Sequence, residues 1–208
     1  KVWTSGAHFA DYGMIVAQSD PNALKHKGLT YFYVDMKTPG IEAKPIKQIS
    51  GSANFNEVFF NDVRIPDSQR IGAEGDGWKV SLTTLMNERL AVGDPPGLDF
   101  DQIFEASKEI EVEDGLAIKN SEVRQKMADW YIQSRGLQYT KYRSMTALSK
   151  GQTPGPELSI SKLVTASKMQ DVSSYALDLM DMSGMVHQDQ NPILKNLFQN
   201  GYFFSAAM

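Results

Sequence analysis

The sequence predicts an α+β protein with two domains, a β domain over residues 1–68 and a helical domain over residues 74–208. Short runs of β-branched and aromatic residues between turns are typical of strands, and they fill the first part. Apolar residues recur at helical spacing in the second part. The segment 67–77, "DSQRIGAEGDG", is rich in glycine and polar residues, which indicates a boundary between the two domains.

The predicted β domain contains four runs with strand character. They are residues 12–19, 29–36, 41–46 and 56–65. The turn sequences "SDPN", "TPG" and "SGSAN" separate them. Turns at intervals of about ten residues indicate a β sandwich or a β barrel.

The predicted helical domain contains several long helices joined by short loops. They cover residues of about 76–93, 99–109, 120–150 and 156–182, with a last helix that begins near Pro192. Such an arrangement predicts an antiparallel bundle. Trp78, near the start of the first helix, is expected to pack into the core.

Composition excludes some classes of function. The 208 residues carry a formal net charge of −4 without a basic block, which argues against nucleic-acid binding. The absence of cysteine excludes disulfides and thiolate metal sites and fits a cytoplasmic protein. The three histidines lack metal-ligand spacing, and no apolar run reaches the roughly 18 residues of a membrane span. A start without methionine and an end within an apolar stretch predict a fragment of a longer protein.

One charged pair interrupts an apolar helical stretch, "LTTLMNERLAVG" at residues 82–93. Glu88 shares a helical face with Leu85 and Val92, whereas Arg89 lies about 100° further round. A carboxylate among apolar side chains is either paired with a cation or functional. Apolar surroundings disfavour its ionised form, which makes it a stronger base. A structural ion pair and a catalytic base both remain open at this point.

Four stretches resemble the acyl-CoA dehydrogenase superfamily in the family's own order. They are "KVWTSGAHFADYGMIVAQSD", "YFYVDMKTPGIEAKPI", "ANFNEVFFNDVRIPDSQRIGAEGDGW" and "LMNERLAVG". The resemblance covers residues of about 1–93 and continues more weakly through 123–139. It implies a middle β-barrel domain followed by a C-terminal four-helix bundle, without the family's N-terminal helical domain. It also implies a dimer of dimers.

The resemblance implies an enzyme of fatty acid metabolism that uses FAD to oxidise an acyl-CoA thioester to the enoyl thioester. Glu88 matches the catalytic base of isovaleryl-CoA and long-chain acyl-CoA dehydrogenases. Trp3, Thr4 and Ser5 match the family's cofactor-binding triplet, in which the indole packs near the isoalloxazine and the hydroxyl bonds to flavin N5. An electron-transfer flavoprotein is the expected electron acceptor.

The resemblance also implies contacts with the substrate. Met86, Asn87 and Arg89 match positions next to the active site, and His26 matches a position that contacts coenzyme A in some members. An exposed helical arginine is the alternative for Arg89, and a solvated charged loop is the alternative for His26.

Residues 100–115, "FDQIFEASKEIEVEDG", depart from the family pattern. The family commonly has an Arg-x-x-Phe-Gly segment here, whose arginine reaches the flavin pyrophosphate of a neighbouring subunit. The present segment is acidic and contains no arginine. Three hypotheses therefore remain: an FAD-dependent acyl-CoA dehydrogenase, a non-catalytic partner subunit in a heteromer of the same fold, or a flavoprotein of this fold with other chemistry.

Overall fold

The structure, a computed structural model, describes residues 1–91, 98–152, 155–186 and 193–206. The chain divides into two compact units, Lys1–Glu88 and Arg89–Met208. The first unit contains six strands and most of one long helix, and helices dominate the second unit. The predicted α+β architecture, with the β part first, is confirmed.

The first unit contains two antiparallel sheets of three strands each. The strands are β1 (Thr4–Ser5), β2 (Tyr12–Gln18), β3 (Leu29–Asp35), β4 (Ile41–Ile46), β5 (Phe55–Phe60) and β6 (Arg70–Ile71). One sheet has the order β1-β5-β4 and the other has the order β2-β3-β6. Val34 and Val58 supply buried apolar side chains, one in each sheet.

The four predicted strands are confirmed to within one residue at each end, apart from the end of the last one. β5 ends at Phe60, whereas the sequence suggested that it would continue to residue 65. Asp62 follows it with φ of +51°, a left-handed conformation that a strand cannot accommodate. Asn61 then donates its N–H to the Gly40 carbonyl at 2.9 Å, and a Cβ on Gly40 would lie 2.1 Å from Asn61 O. Only glycine fits this turn.

The first long helix, α1 (Gly77–Ala91), packs on the sheet that contains β3. Gly75 N–H donates to Thr30 Oγ1 at 3.0 Å just before the helix, and Tyr31 OH lies 3.4 Å from Thr84 Oγ1. A Cβ added to Gly77 would lie 2.7 Å from the main chain of β3. These contacts extend the first compact unit beyond residue 68, as far as Glu88.

The second unit contains the remaining helices and one small hairpin. Its elements are α2 (Phe100–Ala106), β7 (Glu111–Val112), β8 (Gly115–Leu116), α3 (Ser121–Ser149), α4 (Glu157–Leu179), α5 (Met182–Met185) and α6 (Ile193–Ser205). α3 packs on α4, α4 packs on α6, and α2 contacts both α3 and α4.

Side-chain and backbone caps explain why the helices begin and end where they do. The Asp99 carboxylate caps α2 in a capping box with Gln102. The Asn120 side chain accepts from the first turn of α3. Gly151, with φ of +71°, ends α3 because Gly151 N–H and Gln152 N–H close on the carbonyls of the last turn. The predicted position of α3 is confirmed, whereas α2 begins as predicted but ends at Ala106 rather than near residue 109.

α4 ends earlier than the sequence suggested. The prediction extended it to residue 182, but the helix ends at Leu179 and Asp181 adopts a φ of +50°. The chain then turns back sharply, since a Cβ on Gly184 would lie 2.5 Å from Leu177 O. Helical periodicity continues through this turn in the sequence, which is why the pattern did not reveal it.

The core of the second unit is a continuous apolar cluster. It comprises Leu98, Ile103, Ala106, Ala117, Val123, Met127, Trp130, Met169, Val172, Ala176 and Phe198. Trp130 also donates its Nε1–H to Asp171 Oδ2 at 2.8 Å, which satisfies its polar atom. Among the described residues, no helix has the length and apolar character needed to cross a membrane.

Replacing Gly77 with alanine should destabilise the protein by about 1–3 kcal/mol, because the new Cβ would press on the main chain of β3. Gly136 offers a matched control inside α3, where an added Cβ meets nothing within 4 Å. Gly136→Ala should stabilise by about 0.5–1 kcal/mol through helix propensity. Chemical denaturation of both variants measures the two free energies. Equal effects would contradict the close packing of α1 on β3.

Candidate functional site

The predicted cofactor-binding triplet lies on a short edge strand. Thr4 and Ser5 form β1, which pairs only with β5 in its sheet. The Trp3 side chain is 62% exposed, and its ring contacts Phe55 edge to face at 6.2 Å between centroids. Ser5 is exposed, and its hydroxyl has no hydrogen-bond partner among the residues that the structure describes. An exposed indole can pack against a flavin ring, and a hydroxyl without a partner among the described residues can hydrogen-bond to a flavin ring nitrogen.

The predicted base and its neighbours lie at the C-terminal end of α1. Met86 is half-buried, and the Asn87 amide donates to Thr83 O at 2.8 Å on its own helix. Glu88 is exposed. The Arg89 side chain lies outside the described residues, so its predicted contact with substrate is not described.

The surroundings of Glu88 differ from the sequence expectation in two ways. Leu85 is on the same face but is itself 48% exposed, so the carboxylate is not enclosed by it. Val92 lies outside the described residues. Glu88 also makes no ion pair or side-chain hydrogen bond to any described residue. Within the part of the chain that the structure describes, Glu88 is an unpaired carboxylate beside accessible apolar surface.

His26 lies in the loop between β2 and β3, within the one-turn 3₁₀ helix Lys25–Gly28. Its ring stacks on the indole of Trp78 at 5.0 Å between centroids. The expectation that Trp78 packs into the core was wrong, because its side chain is 45% exposed and covers His26 instead. The stack joins the loop to the start of α1.

The proposed cofactor and substrate residues occupy separate elements of the first unit. Trp3, Thr4 and Ser5 belong to the sheet with β5, whereas α1 packs on the sheet with β3. No hydrogen bond or ring contact among the described residues connects the triplet to the end of α1. Apart from Arg89, with which the second unit begins, both groups belong to the same compact unit, Lys1–Glu88.

Sequence reasoning missed a buried charged cluster in the second unit. The Lys168 side chain is only 2% exposed, and its Nζ donates to Asp99 Oδ1 at 2.6 Å and to Ser134 Oγ at 2.8 Å. The Ser134 hydroxyl also contacts Asp99 Oδ1. Lys168 shares the inner face of α4 with Thr165 and Val172, at helical spacing. The argument applied to Glu88 would have identified Lys168.

The cluster lines a polar cavity of about 320 Å³ between α2, α3 and α4. Burial acts most strongly on Asp99 and by itself raises the pKa of this carboxyl. The hydrogen bonds from Lys168, Ser134 and the Phe100 N–H outweigh burial, so the pKa of Asp99 lies below its ordinary value. Asp99 is therefore ionised near neutral pH, and it balances the charge of Lys168.

The segment without the family arginine folds into α2 and the hairpin of β7 and β8. Glu109, Glu111, Glu113 and Asp114 are exposed or partly exposed along it. Residues 98–119 contain no arginine. The departure seen in the sequence is thus a folded, acidic surface.

Comparison with known proteins supports a common origin. The family model for the C-terminal domain of acyl-CoA dehydrogenases matches residues 75–200, more than half of the chain. Acyl-CoA dehydrogenase FadE34 of Mycobacterium tuberculosis is 36% identical over 89% of this chain and 26% of its own length. Acyl-CoA dehydrogenase IpdE1 of Mycolicibacterium smegmatis is 31% identical over 100% of this chain and 50% of its own length.

Solved structures show the same fold. An acyl-CoA dehydrogenase from Geobacillus kaustophilus superposes with a TM-score of 0.82 at 19% identity, over 99% of this chain and 54% of that one. The chain belongs to the acyl-CoA dehydrogenase family. It spans about half the length of IpdE1 and of the Geobacillus protein, and about a quarter of FadE34.

Proposed function

We propose that this chain is part of an FAD-dependent acyl-CoA dehydrogenase in which Glu88 removes the α-proton of an acyl thioester. The observation that carries the proposal is the family match over residues 75–200, a range that contains Glu88. Glu88 is exposed and has no partner among the described residues, which agrees with this role because a base must be free to accept a proton.

When bound, FAD supplies the acceptor for the hydride that leaves the β-carbon. Trp3 offers the flavin an exposed apolar ring, and Ser5 offers a hydroxyl that can either donate to a ring nitrogen or accept from it. Thr4 lies between these two residues and pairs with Asn56 of β5. These residues bind and orient the cofactor, and they take no proton themselves.

Glu88 and the apolar residues before it act on the acyl chain. Leu82 and Leu85 expose apolar surface on α1, which an acyl chain can cover. The same chain would shield the Glu88 carboxylate from water, which strengthens it as a base at the moment of reaction. Met86, Asn87 and Arg89 are the proposed neighbours that position the substrate, and His26 is the proposed contact for coenzyme A.

The test is anaerobic addition of acyl-CoA thioesters of increasing chain length to the whole protein with its flavin bound. Bleaching of the flavin absorbance by at least one thioester is expected, and the preferred length would identify the substrate class. A flavin that no acyl-CoA bleaches, although an unspecific reductant does, would contradict the proposal.

A second candidate function rests on the acidic segment that replaces the family's arginine. Negative charge at this place would repel a flavin pyrophosphate rather than hold it. The chain would then serve as a non-catalytic partner subunit in a heteromeric complex. Flavin stoichiometry separates the two: one FAD per copy supports the enzyme, whereas purified protein without FAD supports the partner subunit.

The proposal includes partners beyond the substrate. An electron-transfer flavoprotein would reoxidise the cofactor, and the chain would assemble as a dimer of dimers or as a heteromer. Several apolar side chains are exposed along α3 and α4, which supports assembly through these helices. They are Ile132, Tyr139, Ile160 and Leu163. The stretch 197–204 is mixed, with Phe198 buried in the core and Tyr202 exposed.

A further inference from the structure

Asn56 is a fully buried amide whose two polar atoms both contact the segment around β1. Its Nδ2 donates to Thr4 O at 3.0 Å, and its Oδ1 lies 2.9 Å from His8 Nδ1. Because a carbonyl oxygen only accepts, the amide nitrogen must face Thr4. The amide oxygen then faces His8, whose Nδ1 carries the proton. Asn56 therefore joins β1 to the residues that follow it.

The pairing of the first strand with β5 contains one extra residue beside Asn56. Val58 N–H donates to Lys1 O at 2.8 Å, whereas Thr4 lies opposite Asn56. Two residues between these pairs therefore face a single residue of β5, which defines a β-bulge. A bulge bends its strand and changes the direction of the side chains, and here it carries Trp3.

Trp3 holds an uncommon backbone conformation in this bulge, with φ of +62°. A bulky residue keeps a positive φ only where its surroundings enforce it. The hydrogen bond from Asn56 fixes the carbonyl of Thr4, directly after Trp3. Asn56 thus holds the peptide group between Thr4 and Ser5, one residue after Trp3.

We propose that Asn56 is a positioning residue for the flavin: it stabilises the bulge that presents the Trp3 indole and the Ser5 hydroxyl. The inference rests on the proposed function, because it assumes that these two side chains meet FAD. Asn56 acts only through β1 and does not itself contact the cofactor.

The test compares Asn56→Leu and Asn56→Asp with the wild type in the whole flavin-bound protein. Both variants remove the donor to Thr4 O, and aspartate also places an oxygen against that oxygen. We expect the flavin dissociation constant to rise about tenfold or more, the effect of losing one buried hydrogen bond. We also expect the flavin absorbance band to shift and the flavin reduction potential to change. Amide hydrogens of residues 1–8 should exchange about tenfold faster in flavin-free protein.

Val58→Ala is the matched control, because Val58 is a buried residue two positions along the same strand. It lowers folding stability by opening a cavity but leaves the contact between Asn56 and Thr4 intact. Its flavin band, reduction potential and exchange at residues 1–8 should equal those of the wild type. His8→Ala, which removes only the contact to Oδ1, should give an intermediate effect.

The outcomes separate this inference from the proposed function. A wild type that binds no flavin would overturn both the proposed function and the positioning role. A wild type that binds flavin, together with Asn56 variants that behave like Val58→Ala, would overturn the positioning role alone. Faster exchange confined to residues 1–8, with a shifted flavin band, would support it.

Discussion

Glu88→Gln should lower the rate at which acyl-CoA reduces the bound flavin by about 10²–10⁴-fold, the usual contribution of a general base. The amide has nearly the same shape as the carboxylate but cannot accept the α-proton. Because Glu88 is exposed and unpaired among the described residues, the change should leave folding stability and flavin absorbance unaffected. Anaerobic stopped-flow reduction at saturating substrate measures the rate.

Glu74→Gln is the control for charge, since Glu74 is an exposed carboxylate in the same compact unit. Acyl-CoA should reduce the flavin of this variant at the wild-type rate. Glu88→Asp keeps the carboxylate on a side chain that is shorter by one methylene group, so we expect an intermediate rate of flavin reduction. A Glu88→Gln protein that is reduced within about twofold of the wild-type rate would place the base on another residue.

Asp99→Asn should destabilise the protein by about 2–3 kcal/mol, because it leaves the ammonium of Lys168 buried without its carboxylate. Asparagine preserves the shape and the cap of α2, so the loss reports mainly on charge. We expect a smaller loss of stability than for a fully buried ion pair because Asp99 is half exposed. Chemical denaturation at neutral pH measures it.

The reverse change, Lys168→Met, should cost only about 1 kcal/mol, because water can reach the Asp99 carboxylate that remains. The double variant should recover most of the stability that Asp99→Asn loses, since no buried charge is then left unpaired. Equal losses for the two single variants would contradict this asymmetry.

The same pair predicts how stability depends on pH. The pKa of Asp99 lies below its ordinary value of 3.8, so its ionised form stabilises the fold above that value. This contribution is lost as the pH falls through the lowered pKa of the folded state. The wild type should therefore lose more stability than Asp99→Asn as the pH falls from about 5 to well below 3.8.

The sequence predicted most of the fold because its strands and helices obey local rules. Asn120 and Gly151 mark the two ends of α3 in the sequence as they do in the structure. The missed ends have a different cause. β5 and α4 end before Asp62 and Asp181, which both have a positive φ. Neither residue is a glycine, so the sequence contains no turn signal at these places.

The candidate site was less predictable than the fold. Helical periodicity identifies the face on which Glu88 lies, but it does not show whether other elements cover that face. The prediction that Trp78 packs into the core was wrong for a similar reason, since a large apolar residue at a helix start can stack on a loop residue such as His26. The role of Asn56 depends on a register across two strands, which no local pattern encodes.

The burial of Lys168 also determines its chemical reactivity. A lysine amine reacts with an acyl donor only when the donor can reach it, and Lys168 lies beside Asp99 with only 2% of its side chain exposed. Lys162 lies on the same helix and is exposed. In a protein proposed to handle acyl thioesters, Lys162 is thus open to acylation, whereas the folded state protects Lys168 from it.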